Sequence, residues 1–301
     1  MKLSGQHIEI DTPAEFCFDK QVDFLRLSPL DCLYIVEAGT IYKAIRVNGC
    51  HVILEITAPK ANKLLVKFSG YDGNSTSQAV VRQYVVEWFN LDTDIRPFYE
   101  MARADAVLAP VVHNYQGLYI VGIPNLFEAL AWAIIGQQIN LTFAYNLKRR
   151  FVQAFGEHTD YEGRRYWLFP LPEKVAHLTV DDFVSMQFSK QKAAYLIGAA
   201  QAIMDSQLTK ESLLREPTLA DMKKRLVSLK GVGEWTADYV LLKCLRQLTA
   251  FPVGDVGLQN AVKVRLAASK KPTPDYLKRL ALPWQGWEAY ATFYLWRSLF
   301  K

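Results

Sequence analysis

The sequence predicts an α+β protein with two domains, a small N-terminal domain with an antiparallel sheet (residues 1–100) and a helical domain (residues 101–301). Two patterns predict this division. Before residue 100, apolar side chains alternate with polar ones, as they do along half-buried strands. After residue 100, apolar side chains recur every three or four positions, which is typical of helices. The length of 301 residues, half of them hydrophobic, is sufficient for two such domains.

The strongest strand signal is a hairpin over residues 42–57. Ile45 and Val47 alternate with polar residues before the dipeptide Asn48-Gly49, and apolar alternation resumes after it. Asn-Gly favours a two-residue turn because both positions tolerate positive φ angles. Residues 63–69 are predicted to add a strand, and residues 78–89 to form an amphipathic helix. We therefore expect a small antiparallel sheet with a helix beside it.

The helical domain is predicted from a series of segments with helical periodicity and no internal proline. These segments are residues 126–135, 142–155, 180–186, 192–205, 219–229, 235–245, 256–267 and 287–300.

Between two of these segments lies the glycine-containing turn Leu229-Lys230-Gly231-Val232-Gly233. Gly231 and Gly233 allow positive φ angles and a close approach of another backbone. The helix that follows presents free N–H groups, which bind anions such as a DNA phosphate. A Gly-x-Gly turn can equally be an ordinary helix–helix connection, so this motif alone does not indicate a function.

About twenty positions further on, Asp255 stands at the start of a predicted helix. Pro252 and Gly254 make the preceding segment irregular, and the helical pattern begins at Val256. An aspartate there can be a simple N-cap, which contributes about 1 kcal/mol. The helix N-terminus also favours the ionised carboxylate, so Asp255 is also suited to stabilise positive charge in a reaction.

This ordered combination of hairpin, Pro/Gly-containing loop and aspartate resembles the HhH-GPD superfamily of DNA glycosylases, in particular its AlkA-like, 3-methyladenine-excising branch. The resemblance implies a two-lobed helical domain with the active site in the cleft and Asp255 as the catalytic residue. Residues 124–140 resemble the helix and loop that these enzymes insert into the minor groove. Gln138 then occupies the position of the wedge that replaces a flipped nucleotide, with Gln137 beside it. Both glutamines can also be simply a polar helix end.

The resemblance also predicts the pocket and the type of reaction. Trp235 stands where bifunctional members carry a lysine nucleophile, which predicts a monofunctional enzyme that uses water. Trp235, Tyr239 and Trp296 are predicted to form an aromatic pocket for a cationic methylpurine, although aromatic residues are more commonly core. Lys230 is expected to face solvent or phosphate, and Asp238 to be a first-turn helix acid without chemistry.

Composition is consistent with a DNA-binding protein without deciding the matter. The net charge of +5 and the pI of 8.9 suit a polyanionic partner, here double-stranded DNA containing damaged bases. The spacing of the four cysteines and five histidines predicts a reduced protein without an iron–sulfur cluster or zinc site. We expect no cofactor, apart from a possible monovalent cation held by backbone carbonyls of the hairpin. We also expect a monomer without an obligate protein partner, located in the cytoplasm and not in a membrane.

The predicted function is therefore base excision repair, by hydrolysis of the N-glycosidic bond of a flipped-out alkylated base to leave an abasic site. Two alternatives stay open at the level of sequence. One is a glycosylase for oxidised or deaminated bases. The other is a helix-hairpin-helix DNA-binding module without catalysis, although such a module requires neither an acid nor an aromatic pocket.

Overall fold

The computed structural model of the chain describes residues 6–69 and 75–300. The strands are β1 (His7–Asp11), β2 (Ile35–Glu37), β3 (Thr40–Val47), β4 (Cys50–Lys60), β5 (Lys63–Ser69), β6 (Glu157–Tyr161) and β7 (Arg164–Leu168). The helices are α1 (Phe18–Arg26), α2 (Ser75–Phe89), α3 (Arg96–Arg103), α4 (Ala109–Tyr115), α5 (Leu126–Gly136), α6 (Leu141–Phe155), α7 (Pro172–Ala176), α8 (Lys190–Met204), α9 (Lys210–Leu214), α10 (Leu219–Val227), α11 (Glu234–Lys243), α12 (Val256–Arg265), α13 (Pro274–Leu280) and α14 (Glu288–Arg297).

The N-terminal part is an antiparallel sheet with the strand order β1-β5-β4-β3-β2. Its central hairpin turns at Asn48 and Gly49, whose φ angles of 50° and 80° are those of a type I′ turn. Val47 pairs with Cys50 across this turn. The predicted hairpin, the additional strand and the helix that follows are thus confirmed as β3, β4, β5 and α2, and the predicted fold class is confirmed.

The remainder is largely helical, except for a two-stranded hairpin that was not predicted from the sequence. Strands β6 and β7 form a hairpin that packs on the N-terminal sheet, where Tyr166 and Leu168 contact Ala44 and Ile53. These strands are short and rich in charged residues, so they lack the apolar alternation of a half-buried strand. The predicted helix over residues 180–186 is also different, because this segment is a 3-10 helix.

The helical part of the chain packs around two hydrophobic cores. Helices α5 to α8 enclose one core, which contains Phe127, Phe151 and Phe183. The second core joins the N-terminal sheet to α3, α4 and α9 to α14 without a break at residue 100. The helical lobe that carries α10, α11 and α12 therefore shares its core with the sheet, whereas the α5–α8 lobe has a core of its own.

The structure also bears on the predictions about cysteines, metal sites and membrane-spanning helices. All four cysteines are free thiols. Within residues 6–69 and 75–300, no three histidine, cysteine or acidic side chains are grouped as metal ligands, and the absence of a cofactor stays a prediction. In the same residues, no helix is both long and apolar enough to cross a membrane.

Candidate active site

The Asp255 carboxylate lies between two tryptophan side chains that both donate hydrogen bonds to it. The indole Nε1 of Trp235 is 2.7 Å from Oδ2, and the indole Nε1 of Trp296 is 2.7 Å from Oδ1. Trp235 comes from α11 and Trp296 from α14, while Asp255 immediately precedes α12. Hydrogen bonds to a charged acceptor are the stronger kind, so the two indoles fix the carboxylate in one orientation.

Asp255 is also the N-cap of α12, because its Oδ1 accepts a hydrogen bond of 2.6 Å from the backbone N–H of Leu258. Asp255 therefore has the capping role considered from the sequence, and it also accepts the hydrogen bonds from the two indoles. Gly257 leaves the space for this arrangement. A Cβ atom there would lie 2.9 Å from Oδ1 of Asp255 and 3.3 Å from Cδ1 of Trp296. Gly257 was not predicted from the sequence, because a glycine in the first turn of a helix carries no distinctive signal.

The three predicted pocket aromatics are adjacent to one another. The ring centroids of Trp235 and Tyr239 are 5.8 Å apart, and those of Tyr239 and Trp296 are 6.1 Å apart. All three side chains are partly exposed. Desolvation raises the pKa of the Tyr239 hydroxyl well above its usual value. The arrangement is an aromatic surface beside a fixed carboxylate.

The predicted hairpin lies between α10 and α11 and is tied to the other lobe. Gly231 has a φ angle of +93°, and a Cβ atom there would lie 2.2 Å from the ring of Tyr195 on α8. The side-chain amide of Gln137 donates hydrogen bonds to the Gly231 carbonyl at 2.9 Å and to Oγ1 of Thr236 at 3.0 Å. Gln137 therefore holds the end of α5 against the hairpin.

The two other hairpin residues predicted to bind DNA are Lys230 and Gly233. Gly233 is the N-cap of α11 with a φ angle of −92°, so the positive φ angle that a glycine allows is not used there. Its backbone carries an extended conformation that other residues also adopt, and a Cβ atom would meet open space. Lys230 is exposed, as expected.

Gln138 is exposed at the turn between α5 and α6 and has a left-handed φ angle of +57°. The next helix begins with Asn140 as its N-cap. Gln138 borders an open cavity of about 600 Å³ between the two lobes. The cavity is lined by Gln137, Gln138, Ser189, Gln191, Lys192, Tyr195, Gly231, Val232, Gly233, Glu234, Trp235 and Thr236. The glutamine turn, the hairpin and Trp235 thus face one cleft.

Three comparisons place these features among known proteins. The family model described as "HhH-GPD superfamily base excision DNA repair protein" matches residues 131–285. The chain belongs to the HhH-GPD superfamily. It is 39% identical to a DNA-3-methyladenine glycosylase of Bacillus subtilis (strain 168), with 97% of each chain covered. It is 27% identical to DNA-3-methyladenine glycosylase 2 of Escherichia coli (strain K12), with 60% of each chain covered.

The fold matches a solved structure over nearly its whole length. A structure described as a 3-methyladenine DNA-glycosylase from Archaeoglobus fulgidus superposes with a TM-score of 0.83, at 23% identity, covering 96% of this chain and 97% of the other. The family model and the 39% identical relative from Bacillus subtilis confirm membership of the superfamily and activity of the DNA glycosylase class, a hydrolase of base excision repair. The roles of the individual site residues stay predictions.

Asp238 differs from its predicted position in this HhH-GPD domain. It lies in the second turn of α11 and not in the first, and only 4% of it is exposed. Its carboxylate is 3.0 Å from the ammonium group of Lys223, which also contacts Glu234. Burial raises the pKa of Asp238 to about 6, although Lys223 opposes this shift. These contacts connect α10 to α11 on the two sides of the hairpin.

Replacing either indole by a benzyl group tests whether the N–H donors matter. In Trp235→Phe and in Trp296→Phe, an aromatic ring remains but the hydrogen bond to Asp255 is lost. We expect the rate of base release under single-turnover conditions to fall about 10- to 100-fold, the value of one hydrogen bond to a charged group. Trp167→Phe, in the β6–β7 hairpin, is the control and should retain the wild-type rate. Unchanged rates in both pocket variants would contradict a role for the N–H groups.

The Gly231 contact predicts a stability difference between the two hairpin glycines. Gly231→Ala places a methyl group against the Tyr195 ring at a strained φ angle, and we expect it to lower the free energy of unfolding by about 1–3 kcal/mol. Gly233→Ala meets open space at an ordinary φ angle, and its cost should be under about 1 kcal/mol. Urea unfolding of the two variants measures the difference. Equal costs would mean that the contact with Tyr195 does not constrain the hairpin.

Proposed function

We propose that this chain is a monofunctional DNA glycosylase that releases alkylated bases of the 3-methyladenine type from duplex DNA and leaves an abasic site. The observation that carries the proposal is the Asp255 carboxylate fixed between two indoles beside an aromatic surface. The names of the relatives from Bacillus subtilis and Escherichia coli agree with this substrate class.

The hydrogen bonds of Asp255 indicate which oxygen is available for the reaction. A carboxylate oxygen has two acceptor positions. Oδ1 uses both, for Leu258 and Trp296, whereas Oδ2 uses one, for Trp235. The second acceptor position of Oδ2 therefore remains for a water molecule or for the positively charged sugar. A carboxylate that is oriented in advance stabilises developing charge without reorganisation during the reaction.

The reaction begins when the damaged nucleotide leaves the base stack and its base lies against the rings of Trp235, Tyr239 and Trp296. A cationic methylpurine is attracted to the aromatic faces. The bond between C1′ and the base nitrogen breaks with its electron pair, which neutralises the base and leaves positive charge on the sugar. The Asp255 carboxylate stabilises that charge, and the oxygen of a water molecule bonds to C1′ while the proton of that water passes to Asp255 or to solvent. The base therefore requires no general acid to depart.

The absence of lyase activity is proposed from the identity of residue 235. In the superfamily, strand-cleaving members carry a lysine at this position, and the Trp235 indole cannot form a Schiff base. Nearby lysines have other partners: Lys192 donates to the Ile135 carbonyl at 2.7 Å, and Lys223 contacts Asp238 and Glu234. Lys230 is exposed at the hairpin, where a phosphate is the expected partner.

DNA is proposed to bind across the cleft. The N-terminus of α11, which follows Gly233, presents free N–H groups to a phosphate of the damaged strand. Gln138, exposed at its turn, would fill the gap left by the flipped nucleotide. A monovalent cation at the hairpin, a monomeric state and a cytoplasmic location stay predictions.

Base release from methylated duplex DNA tests the proposal. Wild-type protein should liberate methylpurines, and strand nicks should form only after hot alkali. Asp255→Asn should reduce release by at least about 10²- to 10³-fold, because a preorganised charge is lost, while the variant still binds DNA.

Three results would contradict parts of this assignment. Release of oxidised or deaminated bases without methylpurines would change the substrate class. Nicks without alkali would mean lyase activity. Full activity of Asp255→Asn would remove Asp255 from the catalytic role.

A further inference from the structure

A buried cluster of charged side chains lies behind the aromatic pocket. Lys148 on α6 forms an ion pair of 2.9 Å with Asp31, and the two side chains are only 5% and 9% exposed. Glu128 on α5 is 4.0 Å from the same ammonium group. Asp31 belongs to the segment between α1 and β2, so this ion pair joins the N-terminal domain to the α5–α8 lobe.

The segment that carries Asp31 is attached to the same lobe at several further points. The hydroxyl of Ser28 is 2.7 Å from that of Tyr145, and the carbonyl of Leu30 accepts a hydrogen bond of 2.9 Å from Arg149. Leu33 is buried in the hydrophobic core of the lobe. The contacts hold residues 28–33 against α6 and the core of this lobe.

Lys148 is coupled to the pocket through Trp132. Its ammonium group lies 5.2 Å from the centroid of the Trp132 ring, and Tyr145 lies 4.7 Å from the same ring, centroid to centroid. Gly136 lies one turn after Trp132 on the same face of α5, and a Cβ atom there would be 4.0 Å from Cη2 of Trp235. A series of contacts thus runs from Asp31 through Lys148 to Trp132, on the face of α5 that packs beside Trp235.

A gain in stability does not by itself account for a buried ion pair. Removal of two charges from water costs nearly as much as their attraction returns, and apolar replacements of similar volume are commonly neutral or stabilising. Such a pair can instead fix one geometry among several. At this site, the geometry concerned is that of Trp132, which lies beside the ammonium group.

We propose that the Asp31–Lys148 pair is a positioning device for the base pocket, through which a segment of the N-terminal domain sets the position of Trp132 and of the face of α5 that packs beside Trp235. This inference rests on the proposed function, because it assigns Trp235 to the surface that receives the base. Asp31 and Lys148 act through Trp132 and do not touch the base or the sugar.

Inhibition by free 3-methyladenine measures the pocket without the DNA cleft. In Asp31→Leu/Lys148→Met, both charges are replaced by apolar side chains, so no charge is left buried and unpaired. We expect the inhibition constant of the free base to rise about tenfold, because small misplacements of a binding surface are costly. The dissociation constant for a duplex with an abasic-site analogue, which lacks the base, should stay unchanged.

A second ion pair provides the matched control. Arg46 on β3 and Glu157 on β6 are 2.9 Å apart and also join the N-terminal sheet to the helical domain. Glu157 also bonds to His51, and neither partner borders the pocket. Arg46→Met/Glu157→Leu should change neither constant. The single variant Lys148→Arg, which retains the positive charge, should keep most of the wild-type affinity for the free base.

The outcomes separate this inference from the proposed function. If the wild-type protein neither releases methylpurines nor is inhibited by the free base, the proposed function fails. If the wild type does both and the folded Asp31→Leu/Lys148→Met variant is inhibited equally well, the positioning role is refuted. A rise of the same size in the inhibition constant of the Arg46→Met/Glu157→Leu control would also refute the positioning role. If the double variant does not fold, the isosteric variant Asp31→Asn is measured instead. We expect its inhibition constant for the free base to rise at least about threefold for the same reason. No rise would refute the positioning role.

Discussion

The site depends on one constraint, namely that a single carboxylate is held by three N–H donors from three helices. Asp255 accepts from the backbone of Leu258 and from the indoles of Trp235 and Trp296. These donors stand on α12, α11 and α14, so the position of each helix is coupled to the orientation of one functional group. The hydrophobic core that surrounds these helices is shared with the N-terminal sheet. Packing far from the cleft therefore contributes to the geometry of the carboxylate.

The same tryptophans have two physical roles. Their N–H groups point to Asp255, while the ring of Tyr239 lies between them at centroid distances of about 6 Å. An indole suits both roles, because it combines a large electron-rich face with a single donor at its edge. A phenylalanine would supply only the face. We therefore predict that tryptophan is required at positions 235 and 296, and not only an aromatic side chain.

Much of this arrangement was predictable from the sequence, for identifiable reasons. Asn48-Gly49 determines a specific turn. Gly231 and Asp255 belong to an ordered motif, and the structure has Gly231 in the hairpin and Asp255 at the start of a helix, as that motif predicts. The contacts of Trp235 and Trp296 with one carboxylate were not predictable, since a side-chain direction depends on how separate helices pack. The β6–β7 hairpin was missed because its strands are short and charged. Asp238 was predicted to be a first-turn helix acid, and its burial beside Lys223 was not predictable because it results from tertiary packing.

The central claim is that Trp296 assists the reaction through the Asp255 carboxylate, and a double-mutant cycle tests it most directly. Single-turnover base release is measured for wild type, Trp296→Phe, Asp255→Asn and the double variant. We predict that Trp296→Phe slows wild type at least about tenfold but slows Asp255→Asn less than about twofold, because the partner of the indole N–H is already altered. Equal slowing in both backgrounds would mean that Trp296 acts independently of Asp255, and would contradict this account.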